Sequence, residues 1–137
     1  MKDNDCIFCK IASGEIPSIC VYENDEFKVF LDLGPATKGH CLVIPKEHYK
    51  DIFDIPDDVL AKAHCVAKSV ASILVEKLGA TGVNIVQNNG SDAGQTMFHF
   101  HIHVIPRYEG DNAGFGWNEG ELSDEIKAEL IKKLGID

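Results

Sequence analysis

The chain has 137 residues, 45% of them hydrophobic and 26% charged, with a formal net charge of -9. That suits one soluble domain with one core and excludes a disordered or fibrous chain. The acidic balance, with Arg107 the one arginine among 13 basic residues, argues against nucleic-acid backbones or anionic lipid as partners and leaves any phosphate to neutral donors and histidines.

In chain order, residues 21–23 and 27–31 are β-prone runs around Asn24-Asp25-Glu26, which predicts a hairpin whose glycine-free turn has no evident type. Residues 33–39 are turn-rich, and 40–44 predict a short apolar strand stopped by Pro45. Leu60, Ala63, Ala67, Val70, Ala71, Leu74 and Leu78 recur at spacings of three and four. They predict a long amphipathic helix, capped by Asp54 or Asp57 and closed by Gly79. Residues 83–87 alternate as a strand with one buried face, 88–96 form a polar loop with two glycines, and 99–105 alternate most regularly, ending at Pro106. A loop over 109–121 holding Phe115 and Trp117 leads to a last helix marked by Ile126, Leu130 and Leu134. Ser123, Asp124 and Glu125 at its start and Lys132 and Lys133 at its end suit the helix dipole. Strands and helices mixed on short connections predict one α+β domain with a largely antiparallel sheet. No repeat or linker divides it. No apolar run approaches the roughly 18 to 20 residues of a membrane helix, and residues 1–6 carry no secretion core, so a cytoplasmic protein is expected.

His99, His101 and His103 fall at i, i+2 and i+4 of a strand and share one face, while Phe100, Ile102 and Val104 face the core. Half of the 6 histidines on one stripe is more than a wet sheet face requires. Two chemistries compete. The three rings are ligands of a catalytic metal with an open position for water, or one imidazole is a nucleophile toward phosphorus. Same-face neighbours lie about 6.5 Å apart along a strand, while a hydrogen bond spans about 2.7 to 3.2 Å. The ring at 101 is therefore expected to be oriented by a backbone carbonyl, leaving its other nitrogen free. The loop before it, with two Gly, Ser91, Gln95 and Thr96, offers close backbone approach and neutral donors to a phosphate, which favours the nucleophile.

Five cysteines make an odd count, a poor start for a disulfide framework. Cys6-x-x-Cys9 lacks the preceding strand of a thioredoxin-like unit, and as a zinc site it is half complete. Cys20, Cys41, Cys65 and His64 read as packing or surface residues.

The segment Gly94-Gln95-Thr96-Met97-Phe98-His99-Phe100-His101-Ile102-His103-Val104 resembles the signature of the histidine-triad (HIT) family. Ile7-Phe8, Glu15-Ile16-Pro17, Phe30-Leu31-Asp32, residues 39–45 and residues 88–92 resemble family segments in order and spacing. The resemblance implies one domain over 1–137, its motif-bearing core at about residues 5–107 and a tail with a C-terminal helix at 108–137. It implies a five-stranded sheet, a homodimer, and cleavage at the α-phosphorus of a purine nucleotide such as an adenosine phosphoramidate. By the same resemblance His101 attacks phosphorus, His103 binds phosphate and assists the leaving group, and His40 supports the site. Asp32 would hold the ribose, Asn88, Gln95 and Thr96 the phosphate region, and Ile7, Phe8, Ile11, Phe30 and Leu33 the purine. A bacterial branch of the family completes the Cys6–Cys9 pair with His48 and His99 around a structural zinc, which takes His99 out of direct catalysis.

The runner-up activity is a dinucleoside polyphosphate hydrolase, suggested by Gly94-Gln95-Thr96 and by Val104-Ile105-Pro106-Arg107, with Arg107 holding the longer phosphate chain. Rivals of another class are a metal-dependent hydrolase using the whole ladder and a non-catalytic nucleotide sensor. Trp117 either covers the leaving group across a dimer or packs on the last helix.

Overall fold

In the computed structural model, which describes residues 3–136, the first hairpin is closed by a side chain rather than by a glycine. Asn24 Oδ1 accepts from the backbone N–H groups of Glu26 and Phe27 at 2.9 and 2.7 Å. This Asx turn joins β1 (Cys20–Glu23) to β2 (Phe27–Leu31). With β3 (Cys41–Pro45), β4 (Gly82–Val86) and β5 (Ile102–Arg107) they form a five-stranded sheet of order β1-β2-β3-β5-β4, every pairing antiparallel. Helices α1 (Ile7–Ser13), α2 (Asp57–Leu78) and α3 (Asp124–Leu134) complete the expected α+β architecture.

Pro45 ends β3 as expected, and β5 runs one residue past Pro106. Lys46 N–H donates to Glu26 O, so the polar atoms of Pro45 face the other way, toward β5. β5 pairs with β3 only as far as Val43, so no ladder donor is needed there. Likewise Thr81 N–H bonds to Arg107 O, which turns Pro106 toward the β3 side beyond the end of that pairing, where its carbonyl accepts from the Thr37 hydroxyl. The regular alternation from residue 99 also starts before the strand. Phe100 N–H leaves the ladder to donate to Tyr49 O at 2.6 Å, and β5 begins at Ile102.

The long helix ends at Gly79 in the left-handed region, as expected, but neither Asp54 nor Asp57 caps its start. Pro56 occupies the cap with no side-chain bond, Leu60 N–H takes its carbonyl, and Asp54 Oδ2 is spent on Lys50 N–H. Helix α1 had no periodicity long enough to predict it. Cys6 caps it, its sulfur accepting from Cys9 N–H at 3.4 Å, and Gly14 closes it. Helix α3 starts where expected, its cap being Ser123, whose side chain accepts from Ile126 N–H, and it has no buried residue.

The sheet carries a different layer on each face. Phe27, Val29, Cys41, Val43, Ile102 and Val104 pack with Phe100 against the Ala63, Ala67, Val70 and Leu74 stripe of α2. Phe30, Leu42 and Ile44 pack against Phe8, Ile11 and Ala12 of α1. Gly39, at the turn into β3, has φ +97°, and a Cβ there would lie 2.7 Å from Leu78 Cδ1 and 3.3 Å from Pro106 Cγ. Gly39→Ala is expected to cost about 1–3 kcal/mol in a denaturant titration through backbone strain and overpacking; an unchanged midpoint would contradict this.

Candidate active site and metal centre

Cross-strand register builds the site. Phe30 lies opposite Leu42, Leu42 opposite His103, and His103 opposite Val86, so the α1 face presents the row Phe30–Leu42–His103. A cleft of about 580 Å³ opens over this row. Phe8, Ile11, Phe30 and Leu33 form apolar walls, and Asp32, Thr96, His101 and His103 supply its polar groups. These eight predicted residues are brought together. Ile7, half-exposed, lines a neighbouring hollow instead. Asn88 is absent from the cleft lining, its amide lying under Gly94. Gln95 is buried and fully occupied: Oε1 accepts from Gly90 N–H at 2.8 Å, and Nε2 donates to Lys50 O and Met97 O at 2.8 and 3.0 Å. It braces the loop. Sequence reasoning passed over Ser18, a cleft residue whose Oγ is, among the described residues, the buried side-chain polar atom without a partner. Nothing in its local sequence marks it.

Hydrogen bonds settle the tautomers of the two cleft histidines, His101 and His103, and of His40, which stands outside the cleft lining. His101 Nδ1 lies 2.7 Å from His99 O, and a carbonyl only accepts, so Nδ1 carries the proton and Nε2 keeps its lone pair. Ala36 N–H donates to His40 Nδ1 at 3.0 Å. His40 therefore holds its proton on Nε2 and donates to His103 Nδ1 at 2.9 Å. His103 in turn carries its own proton on Nε2. Asp32 Oδ2 stands 3.6 Å from His40 Nε2, while its Oδ1 accepts from Gly34 N–H at 2.8 Å. Asp32, His40 and His103 are close enough to share an ion, but the bond from Ala36 occupies the nitrogen that would have to carry the proton if His40 Nε2 bound a metal. The trio is ordered as a hydrogen-bond chain.

Burial is the main influence on these rings, and it disfavours the imidazolium. It lowers the pKa of His40 against the opposing pull of Asp32, and lowers that of His101 against its carbonyl bond and Asp32. His103 is pushed down to about 4, with His101 and His40 adding to the effect of burial. The unfolded chain binds a proton at such a histidine below about pH 6.5, where the folded chain does not. His103 thus leaves stability intact above that value and lowers it as pH falls toward 4. Urea midpoints at about pH 7, 6 and 5 should descend in that order, above most carboxylate titration, and less steeply in His103→Gln. A flat series would contradict the sign.

Behind the cleft, Cys6, Cys9, His48 and His99 bring one ligand atom each within 4.8 Å of the others. Cys6 Sγ lies 3.3 Å from His99 Nδ1, and Cys9 Sγ lies 3.4 Å from His48 Nδ1 and 3.5 Å from His99 Nδ1. In a tetrahedral zinc site with usual bond lengths, sulfur and nitrogen ligands are separated by roughly 3.5 Å. His99 Nε2 donates to Pro45 O at 2.8 Å, which leaves Nδ1 unprotonated toward the sulfurs, as ligation requires. The donor set suits zinc. Arg107 spends four of its five N–H groups locally: Asp111 binds Nε and Nη2 at 2.9 and 3.0 Å, Asn84 Oδ1 takes Nη1 at 2.9 Å and Ala113 O takes Nη2 at 2.6 Å. No helix among the described residues is long and apolar enough to cross a membrane.

Residues 13–110 match the family model described as the HIT domain. An uncharacterized HIT-like protein of Methanocaldococcus jannaschii is 47% identical over 129 residues, covering 94% of this chain and 98% of that protein. The adenosine 5'-monophosphoramidase HNT1 of Candida albicans is 39% identical over 140 residues, covering 93% and 92%. A crystal structure of a zinc-bound histidine triad family protein from Mycobacterium smegmatis superposes with a TM-score of 0.78 at 38% identity, covering 96% of each chain. The layered sheet, the row of cleft histidines and this extent of similarity place the chain in the HIT family.

Proposed function

We propose that the protein is a nucleotide hydrolase that cleaves at the α-phosphorus of a purine nucleotide through a covalent nucleotidyl-His101 intermediate, with an adenosine phosphoramidate as its preferred class of substrate. The observation that carries this reading is the pair of fixed tautomers: His101 keeps a lone pair on Nε2 while neighbouring His103 carries a proton on its own Nε2. The two ring centroids are 5.0 Å apart. A nucleophile and a proton donor thus stand side by side in one cleft.

The steps follow from these groups. The purine lies between Phe8 and Ile11 on one side and Phe30 and Leu33 on the other, and the Asp32 carboxylate accepts from the ribose hydroxyls. His101 Nε2 bonds to phosphorus as the bond to the leaving group breaks. The leaving group departs as the acceptor of a hydrogen bond from His103 Nε2–H and takes its proton from solvent. Water then attacks phosphorus, loses a proton to solvent, and releases the nucleoside monophosphate with His101 restored and His103 unchanged in charge. His40 holds His103 in the required tautomer throughout.

Cys6, Cys9, His48 and His99 would hold a structural zinc, whose part is to cross-link the chain and not to touch substrate. The functional unit is read as a homodimer. The phosphoramidase named among the relatives supports a phosphorus–nitrogen substrate. The polyphosphate reading is weakened at its one arginine, since four of the five guanidinium N–H groups of Arg107 are engaged within the 84–113 region. Turnover of an adenosine phosphoramidate and of a diadenosine polyphosphate, measured side by side, tests the preference. Higher kcat/KM on the phosphoramidate is expected, and a preference for the polyphosphate would refute it.

A further inference from the structure

We propose that the Cys6–Cys9–His48–His99 cluster, when it holds a metal, positions both the base-binding wall and the nucleophile, so that its occupancy sets nucleotide affinity. This rests on the functional reading above and adds to it a coupling between two sites.

The coupling has two physical arms. The first is α1. A helix of 7 residues is too short to be stable by itself. Its N-terminal end carries Cys6 and Cys9, and its C-terminal end is tied by buried Lys28, whose Nζ donates to Ile11 O at 3.0 Å. Between the two thiols stands Phe8, packed edge-on against His101 at 5.1 Å, Phe30 at 5.6 Å and His99 at 5.9 Å between centroids. Ile11, one turn on, lines the cleft. The side chains that face the base therefore sit on a helix whose N-terminal anchor is the cluster.

The second arm is His99. Its Nδ1 faces the sulfurs, while its own carbonyl accepts the Nδ1 proton of His101 at 2.7 Å. One residue is both a ligand of the cluster and the group that orients the nucleophile. The two sites also share a wall. Thr96 and Met97 line the cleft and also a hollow of about 310 Å³ that Cys6 and His48 line together with Asp3 and Asp5. A four-coordinate ion would join α1, the segment after β3 and the segment before β5, replacing weak sulfur–nitrogen contacts with bonds. Without the ion α1 is held mainly by Lys28 and a small apolar cluster, and His99 by its bond to Pro45.

The experiment compares zinc-loaded protein with protein stripped by chelator under reducing conditions, folding being followed by circular dichroism. AMP affinity is read by calorimetry, and the tautomer of His101 by proton–nitrogen NMR. Stripping should weaken AMP binding roughly 5- to 100-fold, the range of typical coupling between sites, and turn the single Nδ1–H form of His101 into a mixture. Added Zn²⁺ should restore both. His48→Cys, which keeps four ligands, should bind AMP like the parent, and His48→Ala should behave like stripped protein. Where complete stripping unfolds the domain, His48→Ala with its three remaining ligands carries the comparison. Val70→Ala, in the α2 core, should lower stability without moving AMP affinity. Affinity within twofold across loaded and stripped protein, with an unchanged His101 signal, would overturn the proposal while leaving the functional reading standing. Failure of loaded protein to bind AMP would overturn both.

Discussion

His101→Ala is expected to keep the fold and nucleotide affinity within a few-fold while losing about 10⁴-fold or more in kcat, the scale on which removal of a covalent nucleophile acts. The ring is buried, but its bonds are local: one to the carbonyl two residues back and an edge contact with Phe8. Truncation leaves a void at the cleft floor, into which water can enter. The base walls and Asp32 stay in place. Among the described residues lining the cleft, His101 alone has an unprotonated nitrogen beside a donor, so no neighbour substitutes for it. His103 cannot, because its Nδ1 is filled by His40 and its Nε2 is protonated. Turnover within tenfold of the parent would reject the assignment and favour a route through water.

The second large effect is expected at His40, a positioning residue in the middle of the chain Ala36–His40–His103. His40→Ala should reduce kcat about 10²-fold, with KM nearly unchanged. His103 Nδ1 then loses its donor, and either ring nitrogen is free to carry the proton. A fraction of molecules would present a lone pair to the leaving group where a proton is needed. His40→Gln, which can still donate through its amide, should recover part of the loss. A purely architectural role for this buried ring predicts instead a fall in stability with kcat retained, and equal damage from Ala and Gln. Comparison of kcat and urea midpoints for the two variants separates these outcomes.

How much of this was legible in the sequence depends on whether local chemistry or tertiary contact decided the matter. The burial of Phe100, Ile102 and Val104 was readable because side chains on extended backbone alternate with period two, even where the ladder has not begun. The long α2 was readable from its stripe of alanine, valine and leucine. Helix α1 was not, since two turns give no usable period and its cap is a cysteine. Pro45 ended its strand as read, whereas β5 continues one residue beyond Pro106 because proline's missing donor matters only on the side where a partner strand needs it. At the site, the orientation of His101 by a carbonyl followed from spacing alone. The occupied states of Gln95 and Arg107 did not, because their partners at Gly90, Lys50, Met97, Asn84, Asp111 and Ala113 are set by loop conformations that residue type does not reveal. The order Ala36–His40–His103 was equally invisible, since it joins residues 63 apart in sequence across adjacent strands.

Everything in the mechanism passes through one imidazole that becomes bonded to phosphorus without a metal on it. The most direct measurement mixes enzyme with a phosphoramidate of adenosine carrying a labelled phosphorus, stops the reaction within a single turnover, and maps the label by peptide sequencing under alkaline conditions. Label on His101, lost in acid and absent from His101→Ala, is the predicted result. Product formation with no labelled histidine at any quench time would contradict it.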